Sequence, residues 1–351
     1  MNDFMSLPDS SRQQIFEETS ARLGLPPTSV EKDYWVVLVL HALFSSPDFS
    51  SRLTFKGGTS LSKAWKLIER FSEDIDIVVE RASLGFSAGH DPEFAASTSA
   101  RKKLTTELKA TCARCAEFEI KPMLKLALDS STGHGRYDVI VDNSDGDGQT
   151  LLVFYTSVFG GIPTRYIQPS IKIEIGARSG NEPVIEAEIR SFIEEAFPDA
   201  PWASTTIVRA LDPRRTFLEK AFLLHEENHR PFGKPTKSRM SRHMYDLSCM
   251  FQAGIADGAM RDSSLIERIK HNRETMFAYS WMDYTTMKLE SLNLVPSSDR
   301  EEFWRRDYED LRHEMIYGKA PEYSRLIADL HTLEQRAREV GLSNNQESQK
   351  S

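Results

Sequence analysis

Asp74 and Asp76 stand two residues apart in Arg70-Phe71-Ser72-Glu73-Asp74-Ile75-Asp76-Ile77, and Ile75, Ile77 and Val79 alternate with them. That is the period of a β-strand, so both carboxylates project from one face. Like charges so close repel, and one pKa rises unless a cation neutralises them. Hard oxygen donors of this kind suit Mg2+, which takes one or two carboxylates and completes its shell with water and substrate phosphate. A pair of such ions can activate an attacking hydroxyl and stabilise a leaving pyrophosphate in an in-line displacement. Upstream, Phe55-Lys56-Gly57-Gly58-Thr59-Ser60-Leu61 sets two glycines between a short β-like run and a helical segment. Glycine lets the backbone approach a ligand closely. The helix start offers free N–H groups and a positive dipole end beside the two hydroxyls. Gly57, Gly58, Thr59 and Ser60 therefore form a candidate cradle for a nucleotide's phosphates. It is not a Walker A loop, because no Gly-x-x-x-x-Gly-Lys-Ser/Thr string is present.

Such a site wants a third carboxylate. Ser170 to Ile175 alternates as a strand, with Ile171, Ile173 and Ile175 on one face and Lys172 and Glu174 on the other. If this strand lies beside the first, Glu174 completes an acidic cluster for the metal ions. Lys56, Lys63 and Arg70 flank the segment and are candidate phosphate ligands. Ser72 lies two residues before Asp74, where a phosphoryl group would set negative charge against the aspartates. Cys112 and Cys115 form a Cys-x-x-Cys inside an apparent helix, but no second pair follows to complete a zinc site. Asp142 to Gly148 half-matches a calcium loop. It lacks the closing Glu, since position 154 is Phe, and strands flank it, so a hairpin turn is the better reading.

The string Gly-Gly-Thr-Ser-Leu followed by Arg-Phe-Ser-Glu-Asp-Ile-Asp resembles the AbiEii/AbiGii-type nucleotidyltransferase toxins, of the DNA polymerase β-like superfamily. The resemblance extends to Glu31-Lys32-Asp33-Tyr34-Trp35, to Phe217-Leu218-Glu219-Lys220-Ala221 and to Arg242-His243-Met244-Tyr245-Asp246-Leu247. Landmarks thus run from about residue 30 to 250. The resemblance implies an NTP-using enzyme with two Mg2+ ions at the aspartates, Lys220 on the triphosphate and Asp246 supporting the active site. It also implies a toxin–antitoxin or phage-defence setting, a cognate antitoxin, and the 3′ end of tRNA as acceptor. One departure is His243, where many relatives carry an acid, which leaves Asp246 as the only acid of that motif.

The elements that must position these residues follow from periodicity. Residues 8–24 and 28–44 form two helices, the second with Thr28 and Glu31 in capping-box spacing. A helix is expected from 59 to 71, with Leu61, Ala64, Trp65, Leu67 and Ile68 as its apolar stripe. A long polar helix spans 98–120, and strands occupy 137–141, 150–159 and 170–177. From Asp212 the chain reads as helical, in pieces near 213–228, 239–252, 262–278, 299–317 and 321–340, broken at Pro231, Pro235, Gly258, Pro296 and Pro321. The expected fold class is α/β (α+β): a nucleotidyltransferase fold with a mixed β-sheet flanked by helices, followed by a C-terminal helical domain. The expected domains are residues 1–205, 206–342 and a disordered tail from 343 to 351, rich in Asn, Gln and Ser.

The chain has 351 residues, enough for two domains. Its longest apolar run, Tyr34 to Phe44, has 11 residues and contains His41, too short to span a bilayer. Three cysteines and no visible signal peptide point to a reducing compartment, the cytoplasm. The net charge of −8 weighs against general nucleic-acid binding, which needs a basic surface, while leaving room for a local patch. The acidic balance keeps a rival open: transfer of AMP or UMP to a protein side chain. A non-catalytic nucleotide sensor is a second rival, against which the intact Asp-x-Asp argues.

Overall fold

Among the described residues, seven strands make one mixed sheet: β1 (Leu53–Lys56), β2 (Ile75–Val79), β3 (Tyr137–Val141), β4 (Thr150–Tyr155), β5 (Ser170–Gly176), β6 (Val184–Ile189) and β7 (Thr206–Leu211). The computed structural model describes residues 2–133, 135–160, 169–231 and 233–348. The strand order is β3-β4-β5-β2-β1-β7-β6, so the strand carrying Asp76 lies at the centre. It runs parallel to β5 and antiparallel to β1. Ile75, Ile77, Ile171, Ile173, Leu151 and Val153 are all buried, as the alternation requires of a packed face.

The helix Pro27–Phe44 packs against β5 and β7. Proline at its first position suits a helix start, where the missing N–H has no partner to lose. Its Val36–Leu40 stretch is buried, as expected of a helix apolar on every side. The capping box expected at Thr28 and Glu31 is absent. Pro26 is the N-cap residue and gives no side-chain bond, while the Glu31 carboxylate accepts from the backbone N–H of Val158 at 2.8 Å and from the Ser157 hydroxyl.

Contacts divide the chain into two units: residues 1–65 with 72–211, and residues 66–71 with 212–351. The first unit therefore ends at Leu211 and not at 205, because β7 pairs with both β1 and β6. Within the second unit, helices span Pro213–Asn228, Ser241–Gln252, Ile255–Arg261, Ser263–Met276, Glu301–Glu314 and Tyr323–Ser348. Asp212 caps the first of these, its carboxylate accepting from the N–H of Arg214 at 2.8 Å. Gly258 lies inside a helix and breaks nothing. The last helix runs on to Ser348, so residues 343–348 of the expected disordered tail are helical, and 349–351 lie outside the described residues. Trp304 and Tyr308 are core residues of this unit.

Two further differences concern where helices end. The helix expected over 59–71 stops at Lys63, and Lys66 takes a left-handed φ of 52°. Glu69 to Phe71 is extended instead. The Phe71 N–H donates to the Met315 carbonyl at 2.6 Å, Glu69 accepts from Tyr317, and Arg70 bridges Ile316. Tertiary pairing overrides a helical stripe here. The helix Thr98–Cys115 passes through a π-turn at Ala116–Ile120 into Lys121–Thr132, and so runs past the expected end at 120. The Asp142–Gly148 segment is the turn joining β3 and β4, as expected, and Cys112 and Cys115 are buried thiols.

Candidate active site

The sheet sets two of the residues expected to supply carboxylates at matching positions on neighbouring strands. Asp76 on β2 is in register with Glu174 on the parallel neighbour β5, and with Lys56 on the antiparallel neighbour β1. Thr150 of β4 sits opposite Glu174 in turn. Residues in register across adjacent strands share a face, so Thr150, Glu174, Asp76 and Lys56 form one polar row across four strands. Asp74 immediately precedes β2 and falls on the same side by alternation. The adjacency that the sequence permitted is thus real.

Lys172, two residues before Glu174 and on its face, is part of this group and was not singled out in the sequence. Its ammonium pairs with the Glu174 carboxylate. Burial works against the Lys172 charge, but Glu174, Asp74 and Asp142 outweigh it and raise its pKa. The signal was available, since period two already set Lys172 beside Glu174.

Gly57 explains the glycine motif. Its φ is +80°, and a Cβ built on it would overlap the Asp76 carboxylate. The backbone at the helix start therefore lies directly against a proposed metal ligand. Thr59 and Ser60, expected to face phosphate, are both buried. Thr59 donates to the Asp74 carbonyl and lies 2.9 Å from the Ser72 hydroxyl, while Ser60 donates to the Gly57 carbonyl at 2.9 Å. Thr59 thus ties the turn to the segment before the aspartate strand and Ser60 bonds within the turn, leaving backbone N–H groups as the donors for an anion. Lys63, expected on phosphate, is 4% exposed. Its ammonium contacts Asp33, lies 3.5 Å from the Arg190 carbonyl and sits 3.7 Å from the centroid of the Phe192 ring. Lys56 donates to the Ser179 hydroxyl at 3.1 Å.

A substitution at Gly57 separates close approach from backbone freedom. Gly57→Ala should cost about 1–2 kcal/mol from the left-handed φ alone, and should also displace Asp76 and cut transfer activity roughly a hundredfold. Gly24 has a similar φ of +69° but nothing near a built Cβ. Thermal melts with activity per folded molecule check this. Equal activity in Gly57→Ala and Gly24→Ala would count against a role for close approach.

In the second unit, Asp246 is fully buried between two cations. Arg70 grips it with two hydrogen bonds, 2.7 Å from Nε and 2.9 Å from Nη2, and Lys220 Nζ lies 2.8 Å from its Oδ2. Burial alone would push the Asp246 carboxyl up, but Arg70 and Lys220 outweigh it and hold the pKa far below the usual carboxylate range. Burial pulls the Lys220 ammonium down from its ordinary value, with Asp246 opposing. Burial and the Lys220 charge keep His243 neutral, and its Nδ1 lies 3.3 Å from Lys220 Nζ. Two cations to one carboxylate leave this buried group with surplus positive charge. Arg70, a candidate phosphate ligand in the sequence, is committed to Asp246.

The donor set fits a hard divalent cation. It consists of carboxylate oxygens on adjacent strands, with Gly57 giving one of them room. Among the described residues, no three His, Cys, Asp or Glu side chains converge as a ready cage. Mg2+ needs none, since it usually keeps several waters and shares substrate phosphates.

Comparison with known proteins bears on the chain as a whole. A family model described as nucleotidyl transferase AbiEii toxin, type IV TA system, matches residues 38–335. Among solved structures the chain is similar to MenT4, a nucleotidyltransferase toxin from Mycobacterium tuberculosis. That likeness has 15% identity and a TM-score of 0.43, covering 95% of this chain and 99% of that one. It is also similar to JHP933 from Helicobacter pylori, at 12% identity and a TM-score of 0.44, covering 92% of this chain and 97% of that one. Comparison with curated proteins gives no match.

Proposed function

Because the chain belongs to the nucleotidyl transferase AbiEii toxin family of type IV toxin–antitoxin systems, we propose that it transfers a nucleoside monophosphate from an NTP to the 3′ end of tRNA. The observation that supports the transfer chemistry is the polar row in which Asp76 and Glu174 stand in register, with Asp74 just before Asp76 and Gly57 against it; the tRNA acceptor rests on the family resemblance. The acceptor oxygen bonds to the α-phosphorus, the bond from that phosphorus to the bridging oxygen breaks, and pyrophosphate leaves. Asp74 and Asp76 would hold Mg2+, two ions in this proposal, which when bound would offset triphosphate charge and lower the pKa of the attacking hydroxyl. Glu174 joins them or takes the acceptor's proton. The backbone of Gly57, Gly58, Thr59 and Ser60 supports the triphosphate, and Lys63 contributes by holding that turn through Asp33. Lys220 is kept as a phosphate ligand on the family resemblance, with Asp246 paired to it and holding it in place. A cognate antitoxin completes the proposed system. Among the described residues, no helix is long and apolar enough to cross a membrane, which accords with a proposed cytoplasmic site of action.

The test uses purified protein, Mg2+, each α-labelled NTP in turn, and total tRNA or cell lysate. Label at the tRNA 3′ end supports the reading and identifies the nucleotide. Label on protein keeps the chemistry and overturns the acceptor. NTP binding without any label in tRNA or lysate would leave the proposed reaction without support.

A further inference from the structure

Glu31, Lys32 and Asp33 are consecutive, charged and buried, at 1%, 4% and 3% exposure, in a helix that is otherwise largely apolar. Successive helix residues point about 100° apart, so three neighbours reach three different places. Each finds a separate partner within the first unit. Glu31 holds Ser157 and Val158. Lys32 Nζ pairs with Glu73 at 2.5 Å. Asp33 contacts the Lys63 ammonium and accepts from the N–H of Phe192 at 2.7 Å.

Two of these partners connect to the aspartate segment. Glu73 is the residue before Asp74. Lys63 ends the short helix that starts at Gly57, whose Cα abuts the Asp76 carboxylate and whose Thr59 donates to the Asp74 carbonyl. Packing alone does not need charges at these positions. Buried ion pairs are often no more stabilising than apolar residues of the same volume, whereas they fix partners in register. We infer that Lys32 and Asp33 are positioning residues: the Pro27–Phe44 helix sets Asp74 and Asp76 in place, Lys32 through Glu73 on one side and Asp33 through Lys63 on the other.

This inference rests on the reading of Asp74 and Asp76 as metal ligands, and the experiment keeps the two separable. Mn2+ affinity is measured by electron paramagnetic resonance, and transfer is measured per folded molecule. The proteins are wild type, Asp76→Ala, Lys32→Met, Lys32→Arg, Glu73→Gln, the Lys32→Met/Glu73→Gln double variant, Asp33→Asn and Glu31→Gln. Loss of a supporting contact behind a metal ligand lowers affinity or activity about 10–100-fold. That loss is expected in both readouts for Lys32→Met, Glu73→Gln and Asp33→Asn. Lys32→Arg should recover most of it, and the double variant should be no worse than the poorer single one. Glu31→Gln removes a buried charge from the same helix and should lower the melting temperature while leaving transfer and Mn2+ affinity within about threefold of wild type. The half-buried Glu73 keeps the test valid should Lys32→Met fail to fold, since Glu73→Gln alone must show the loss. Wild-type Mn2+ affinity and transfer in Glu73→Gln would overturn the inference. So would an equal loss in Glu31→Gln, which would mark general loosening of the helix. Wild-type Mn2+ affinity in Asp76→Ala would instead overturn the metal reading.

Discussion

Replacing Asp74 and Asp76 together by alanine is expected to lower nucleotide transfer by on the order of a thousandfold, the scale seen when a preorganised charge-stabilising group is removed from an active site. The fold should survive. Asp74 lies outside the strand ladder, and Asp76 pairs through its backbone, which alanine retains. The change removes the attraction between Asp74 and Lys172 as well as the repulsion between the two aspartates, so the melting temperature should move little. Glu174→Gln should cost less, because its carboxylate is 46% exposed and already shared with Lys172. Single-turnover incorporation of α-labelled NTP with parallel thermal melts measures both effects. Transfer within tenfold of wild type in the double variant would remove the aspartates from the chemistry.

The second large effect concerns stability. Asp246→Ala leaves Arg70 and Lys220 buried without their carboxylate, and breaking a buried pair in this way typically costs about 3–5 kcal/mol. Lys220→Met should cost less, because the two-bonded Arg70–Asp246 contact remains. Acid supplies an independent check. The folded pKa of Asp246 is depressed, so the carboxylate stabilises the fold above its unfolded pKa of about 3.9, and this contribution is lost as pH falls below that value towards the folded pKa. Chemical denaturation at pH 7 and pH 3 should show a larger wild-type loss of stability on acidification than Asp246→Asn shows. Equal losses would mean that Asp246 is not the linked group.

Much of the site was legible because it obeys a single period. The alternation at Asp74–Val79 and at Ser170–Ile175 set each carboxylate on a definite face, and parallel pairing in register then brought Asp76 beside Glu174. What escaped depended on tertiary partners. The apolar stripe from Leu61 to Ile68 satisfies a helix, but Glu69–Phe71 found strand-like partners at Met315–Gly318, which no local pattern announces. Strands β6 and β7 lie outside the segments that periodicity marks, although Glu186, Ala187, Glu188 and Ile189 alternate in exposure. Lys63 looked like a phosphate ligand because a lysine near a glycine turn has that chemistry. Only the fold shows its ammonium facing Asp33. Glu31 was read as a cap for the same reason, its spacing being right and its partners being 126 and 127 residues away.

The six residues from Lys66 to Phe71 belong with the helical unit, while the chain on both sides of them belongs with the sheet. The polypeptide therefore changes unit three times, at 65/66, 71/72 and 211/212. A gene cut at Leu211 would not yield two self-sufficient halves. The N-terminal product would carry Arg70 away from Asp246, and the C-terminal product would lose the strand-like partner of Met315–Gly318. Shuffling the helical unit between relatives, or splitting the toxin into fragments meant to reassemble on command, calls for grafting this hexapeptide along with residues after 211. A split-toxin reporter that moves the two together should keep both pieces soluble, while a single-cut version should aggregate.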